Sequence, residues 1–408
     1  MTTTATTASE IQALEARHVL QTYKRQPVVF VRGEGCRLED IDGRRYLDFI
    51  SGIGVSVLGH GHPGLSRAVA EQAAALLHTS NLYFHPLQGQ VAARLSALSG
   101  LARAFFCNSG TEAMEASLKF ARRYWFTQGV RGRTRFVAFE HGFSGRTMGA
   151  LSVTANPHYR EPFEPLIPGV TFVAPGDIAA LDAAVSSATA AIVVEPIQGE
   201  GGVRPISAEF AAAIEAACAR TGALLIADEV QCGLGRTGAP FYYQTVGLTP
   251  DLVTVGKALG AGVPVGAALV SEEVARQVLP GDHGTTYGGN LLAMRAALFV
   301  LEQLQDHGLL AAVQRTGAHF EQRLQALAAR YPVVTEVRGA GLMRALQLAV
   351  DAAPVVEGAL ARGLLVNRTA ETVVRLLPPY TVSPDEIDEA VATLDAVLAG
   401  LPAEVKTP

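Results

Sequence analysis

Three short stretches of the chain carry reactive residue types at positions where they could act. Asn108-Ser109-Gly110-Thr111-Glu112 joins an apolar run to a helical window that begins at about Thr111. Free N–H groups at a helix start, reinforced by the helix dipole, attract an anion, and glycine lets the backbone approach it closely. A phosphate fits such a turn. Asp228 ends the apolar run ALLIAD, where a carboxylate is costly to bury unless it meets a positive partner. Lys257 follows the apolar run LVTV among small residues. That setting desolvates the ammonium, lowers its pKa and frees an amine for attack or proton transfer. Read singly, each has a plainer meaning: a helix cap, an acid at a turn, a surface lysine. Together and in this order they point to one site that binds an anion, a cation and an amine-reactive group.

The elements that must position these residues follow from patterning. Between about Pro63 and Val300, the strand-like runs AFFCNS, RFVAFE, AAIVVEP, ALLIADEV and LVTVGKA alternate with Ala-rich helical windows. This rhythm predicts an α/β unit with a parallel sheet covered by helices on both faces, and function at the carboxyl ends of its strands. Before it, a helical stretch from about Ile11 leads into VVFVRGEGCRLEDIDGRRYLDFISG, which alternates as short strands joined by turns such as Asp42-Gly43. After about Asn290, a helical span leads into VVTEVRGAGLMRALQLAV, then VVRLLPP and a last helix, the pattern of an α+β cap. The expected division is therefore 1–62 as an N-terminal segment, 63–300 as the large unit and 301–408 as a C-terminal α+β unit.

Composition bounds the partners. The 408 residues are 49% hydrophobic and 17% charged, with a formal charge of −5 and no long run of like charge. Nothing there suggests nucleic acid or a membrane surface, while small anionic metabolites stay open as ligands. Cys36, Cys107, Cys218 and Cys232 lie far apart without metal-ligand spacing, so no metal is expected and free thiols in a reducing cytoplasm fit. The opening MTTTATTASE lacks the features of a secretion signal and is expected to be without ordered structure.

The motifs NSGTEAMEA, HGFSGRT, VEPIQGEGGV, ADEVQCGLGRTG, GKALGAGVPVGA and HGTTYGGN run in one order along the chain. In that set the chain resembles the class III (ω-amino-acid) aminotransferases of pyridoxal-phosphate fold type I, from about Phe30 to the C-terminus. FVRGEG, LGHGHP and HTSNLY make it most similar to the acetylornithine aminotransferases among them. The resemblance implies a mainly parallel seven-stranded sheet in a large domain, with a smaller α+β domain from both terminal segments. It also implies pyridoxal 5'-phosphate (PLP), carried by Lys257 as a Schiff base, with Lys257 then serving as the base that moves protons. Asp228 would keep the pyridine nitrogen protonated so that the ring accepts electrons. Gly110 and Thr111 would hold the phosphate, joined by Thr286 from a neighbouring subunit, so the site would need a homodimer. Phe143 would stack on one ring face, Val230 would close the other, and Gln231 would reach the 3'-oxygen.

The same resemblance assigns the substrate contacts. Arg146, helped by Thr285, would grip the carboxylate at the far end of an ω-amino acid or of 2-oxoglutarate. Arg375 would take the α-carboxylate of glutamate or 2-oxoglutarate and pair with Glu200 while the ω-amine is bound. The implied reaction is ping-pong transamination of N2-acetylornithine with 2-oxoglutarate in arginine biosynthesis. Ser144, Cys232, Leu291 and Arg344 depart from common family residues and are expected to be packing variation. FSGRT is closer to the transaminases acting on carrier-protein-bound aminoadipate semialdehyde in lysine synthesis. That activity stays open beside ornithine or 4-aminobutyrate transamination, as does a racemase or mutase on the same fold.

Overall fold

The computed structural model describes residues 7–401. The expected unordered start is corrected in part: Ala8–His18 is a helix, fixed by a capping box in which Thr7 and Glu10 satisfy each other's backbone N–H groups. Residues 1–6 lie outside the described residues.

Seven strands form the central sheet, in the order Arg103–Cys107, Gly266–Val270, Leu252–Val255, Leu224–Asp228, Thr189–Val194, Arg135–Phe139 and Val170–Val173. Gly266–Val270 pairs antiparallel with both its neighbours, and the other pairings are parallel. Six strands thus point one way and one runs against them. The five runs read as strands in the sequence are five of the seven. Thr189–Val194 and Leu224–Asp228 are buried along their whole length because helices cover both faces. Ala191 and Ile226 face a core closed by the helix Gly110–Thr127, while Ile192 and Leu225 face the core with Phe210 and Leu301. The alternation is the period of two that a strand imposes on its side chains.

The terminal segments build two further sheets. Phe30–Glu34, Arg37–Asp40 and Arg45–Asp48 form an antiparallel ladder, and Arg45–Asp48 is joined in parallel by Leu364–Leu365 from far down the chain. Val334–Ala340, Met343–Leu348, Val373–Leu376 and Asn367–Thr369 make an antiparallel sheet. The helices Leu309–Ala328, Ala353–Ala361 and Pro384–Ala399 accompany it. Arg344, expected to be mere packing variation, is instead a buried guanidinium that donates to the carbonyls of Gly339 and Gly341 and to Glu321 at 2.8 Å. Leu291 is buried at the start of the helix Leu291–Gln305, and Cys232 is buried with its Sγ 3.1 Å from Glu229 Oε2. No described helix is long and apolar enough to cross a membrane.

Candidate active site

Five of the parallel strands deliver side chains to one edge. Ser109, Gly110 and Thr111 follow Arg103–Cys107, Phe143 to Arg146 follow Arg135–Phe139, and Glu195 and Glu200 follow Thr189–Val194. Asp228 closes its own strand ahead of Val230 and Gln231, and Lys257 comes just after Leu252–Val255. The carboxyl ends of strands in an open α/β sheet are where ligands bind, because the crossovers leave there and part. A cavity of about 230 Å³ occupies this edge, lined by Gly110, Thr111, Phe143, Arg146, Glu200, Asp228, Val230, Gln231 and Lys257. Nine of the residues singled out in the sequence therefore meet in one space, and Arg375 joins them through Glu200.

The helix Gly110–Thr127 begins at the cavity wall, capped by Ser109, whose hydroxyl accepts from Glu112 N. Its first N–H groups point at the cavity, where such groups can seat an anion. A Cβ on Gly110 would come within 2.6 Å of Val230 Cγ1, so only glycine lets this turn lie against the valine. Thr111 Oγ1 accepts from the backbone N–H of Arg146 at 3.2 Å and of Thr147 at 3.3 Å, which ties the turn to the loop carrying Phe143 and Arg146.

Asp228 is buried, and its Oδ1 accepts from Val230 N at 3.2 Å and Thr254 Oγ1 at 3.0 Å. Burial raises its pKa above the usual carboxylate range, against the pull of these hydrogen bonds and of Lys257. A cationic partner would reverse that shift. Burial lowers the Lys257 amine below the usual lysine range even though Glu200 and Asp228 attract its charge, and Arg375 lowers it further. Among the described residues its Nζ has no hydrogen bond and no carboxylate within 4.0 Å. The Lys257 backbone sits at φ +34°, in the left-handed region where a side chain is strained, and such strain collects at functional positions.

Arg375 has no exposed surface. Its Nη1 donates to Glu200 Oε1 at 2.6 Å and Gln231 Oε1 at 3.1 Å, and its Nε donates to Asn367 Oδ1 at 3.2 Å. Its Nη2 is buried without a partner among the described residues. Burial would raise the Glu200 carboxyl, but the charge and hydrogen bond of Arg375 outweigh it and hold the pKa below the usual range. Arg146 has neither hydrogen bond nor ion pair from its guanidinium among the described residues, and stacks 3.6 Å above the centre of the Tyr159 ring.

Two predicted residues are not brought to this cavity by the single chain. Thr285 lines a different hollow with Asn81, Gln88 and His283, and its Oγ1 accepts from Asn108 Nδ2 at 3.3 Å. Thr286 lines neither. Other residues here were not foreseen. Glu195 is the chief one: its carboxylate accepts from Phe143 N at 2.8 Å and Gly199 N at 3.1 Å, fastening both loops. Burial lifts its pKa to about 8, and the Asp228 charge adds to the rise. The signal for it was an acid ending a wholly apolar run, the same signal that singled out Asp228. Ser144, noted only as a departure, also lines the cavity and lowers the Asp228 carboxyl against the effect of burial. Tyr159 left no sequence signal, since its role is to seat Arg146.

The family model described as aminotransferase class-III matches residues 19–398. The chain is a class III aminotransferase. This aminotransferase is 45% identical to the acetylornithine aminotransferase of Methanocaldococcus jannaschii, with 94% of this chain and 96% of that protein covered. It is 47% identical to that of Gloeobacter violaceus, over 97% of this chain and 98% of the relative. Among solved structures, the ornithine aminotransferase of Toxoplasma gondii superposes with a TM-score of 0.93 at 31% identity, covering 99% of this chain and 96% of that one. That structure carries PLP at partial occupancy, and the family implies PLP as cofactor. The cavity of this aminotransferase fits the group: an anion seat at a glycine turn, a slot between Phe143 and Val230, a buried carboxylate for a ring cation and an unpaired buried amine.

Proposed function

We propose that this aminotransferase moves the ω-amino group of N2-acetylornithine to 2-oxoglutarate, giving N-acetylglutamate 5-semialdehyde and glutamate, with PLP held by Lys257. The observation that carries the reading is the Glu200–Arg375 pair at 2.6 Å in the wall of the Lys257 cavity. A transaminase of an ω-amine must accept a carboxylate beside the reacting carbon in one half-reaction and none in the other. A buried arginine with its own removable carboxylate meets that need, and a racemase or mutase does not have it. Identities of 45–47% to acetylornithine aminotransferases over nearly the whole chain support the donor.

PLP bound here would supply an electron sink for the carbanion formed at the reacting carbon. The chain's own residues do the rest. Gly110 and Thr111 would hold the phosphate, Phe143 and Val230 would flank the ring, Gln231 would reach the 3'-oxygen, and Asp228 would accept from the ring nitrogen. Lys257 Nζ, whose pKa burial lowers, would take the proton from the reacting carbon of the donor and deliver it to the cofactor carbon that bears the nitrogen. Arg146, held on Tyr159, binds the carboxylate at the far end of either substrate.

The reading includes a homodimer with shared sites and a cytoplasmic location. Leu82, Tyr83 and Phe84 are exposed, and Phe84 is wholly so. They lie beside the segment carrying Thr285, Thr286 and the exposed Tyr287, joined by Asn81 Nδ2 to Gly288 O at 2.9 Å and His85 Nε2 to Gly289 O at 2.7 Å. A partner covering that apolar patch would receive Thr286 at its phosphate seat. The division into a large unit at 63–300 and a small unit from 1–62 and 301–408 belongs to the same proposal. The pairing of Arg45–Asp48 with Leu364–Leu365 supports it.

The likeness to ornithine aminotransferase structures favours free ornithine as a second donor. Incubation with 2-oxoglutarate and a panel of amines, following glutamate, tests both. Fast turnover of N-acetylornithine with slow turnover of ornithine supports the first reading. The reverse order overturns it.

A further inference from the structure

A second chamber of about 730 Å³ adjoins the cofactor cavity and shares Phe143 and Glu200 with it. It is of the size that holds a whole small-molecule ligand. Its walls are the segment Thr154–Arg160, Phe172 and the loop Arg368–Glu371. Arg368 is neutralised there by Asp351 at 2.7 Å. Arg160 is not. Its guanidinium lies 4.5 Å from the centre of the Phe172 ring, its Nε is buried without a partner, and none of its nitrogens has a hydrogen bond or ion pair among the described residues. Glu140 and Glu371 line the same chamber, yet neither carboxylate comes within 4.0 Å of it.

An unpaired buried donor is costly to keep, by more than a typical hydrogen bond returns, and a ligand acceptor is one way to satisfy it. Arg160 follows directly on Tyr159, the ring that seats Arg146. Tyr159 itself lines this chamber, so a donor whose carboxylate rests on Arg146 would turn its α-nitrogen substituent towards it. We propose that Arg160 is a specificity-determining residue that donates to the acyl carbonyl on the donor's α-nitrogen. It also rejects the free amino acid, whose α-ammonium would face the guanidinium. Acylation removes the repelling charge and provides the acceptor in one change. The inference rests on the reading of N2-acetylornithine as donor.

The test compares wild type, Arg160→Met and Arg160→Lys as holoenzymes, in single-turnover half-reactions with N-acetylornithine, ornithine and glutamate. In Arg160→Met the preference for N-acetylornithine over ornithine is expected to fall roughly tenfold, the scale of one charge-assisted hydrogen bond. The fall should come through the concentration dependence, with the maximal rate and the glutamate half-reaction unchanged. Arg160→Lys keeps the charge and should keep most of the rejection of ornithine. An unchanged preference in Arg160→Met overturns the assignment, and so does an equal loss with all three substrates, which marks a structural role. Failure of wild type to use N-acetylornithine at all would overturn the donor itself, a separate result. If Arg160→Met does not fold, the Arg160→Lys and Arg160→Gln variants decide, since only the lysine should still reject ornithine.

Discussion

Replacing Glu200 with alanine takes the charge partner from an arginine that has no exposed surface. Breaking a buried pair from one side costs about 3–5 kcal/mol. Two features reduce that here. The Glu200 side chain is 37% exposed to the cavity, so part of the pairing is already screened by water. Arg375 also keeps Gln231 Oε1 at 3.1 Å and Asn367 Oδ1 at 3.2 Å. A cost of about 1–3 kcal/mol is left for the guanidinium to recover from an incoming ligand. In the wild type the α-carboxylate of glutamate must displace Glu200, whereas in Glu200→Ala it enters unopposed. At about 1.4 kcal/mol per factor of ten, glutamate should bind about five- to a hundredfold more tightly, with its half-reaction intact. The ω-amine places no carboxylate at Arg375 and faces an uncompensated cation, so selectivity for it falls. Single-turnover absorbance changes with N-acetylornithine and with glutamate, read separately, measure both. Equal loss of rate in the two half-reactions would refute the switch.

Lys257→Ala should abolish turnover and the covalently held cofactor absorbance while the protein still folds, since it removes an unpaired buried amine; a borohydride-reducible cofactor adduct persisting in the variant would falsify the assignment of Lys257. Glu195, Glu229 and Asp251 have pKa values raised to about 8, about 7 and about 6. Each therefore binds its proton more tightly folded than unfolded, so the stability it contributes is fully present below about pH 4.5 and lost as pH rises towards 8. Urea midpoints of cofactor-free enzyme should fall across that window and fall less in Glu195→Gln; parallel slopes in the two proteins would count against the burial of Glu195. Phe84→Asp should dissociate the proposed homodimer and lose cofactor with it, as seen by light scattering and by absorbance after gel filtration. A dimer that survives that change places the interface elsewhere.

Residues close to a strand end could be read from the chain, because a local pattern marks them. Asp228, Lys257 and the Gly110 turn each follow a run of apolar residues, and the sheet brings those run ends together. Glu200 and Arg375 are different. They meet only because the sheet holding Val373–Leu376 packs against the loop after Thr189–Val194, and no local spacing encodes that approach, so their pairing came from the family resemblance. The reversed strand Gly266–Val270 and the edge strand Val170–Val173 were not separated from their surroundings. The first is rich in small residues and follows the Gly- and Pro-broken stretch ALGAGVPV, and the second is a four-residue edge strand interrupted by Thr171 and only partly buried, so neither stands out from its surroundings. Arg160 was also invisible, since what distinguishes it is the absence of a partner, and partners exist only in the folded chain.

The reversed strand has a mechanical consequence. Parallel neighbours must be joined by a long crossover, usually through a helix, whereas antiparallel neighbours can be joined directly. Lys257 lies on the short link between Val255 and Gly266, which are adjacent in the sheet and anchored at both ends by it. The loops bearing Phe143, Glu200 and Gln231 hang from longer excursions that can yield. Lys257 is therefore tethered more tightly than those loops, which can shift around it as one carboxylate replaces another.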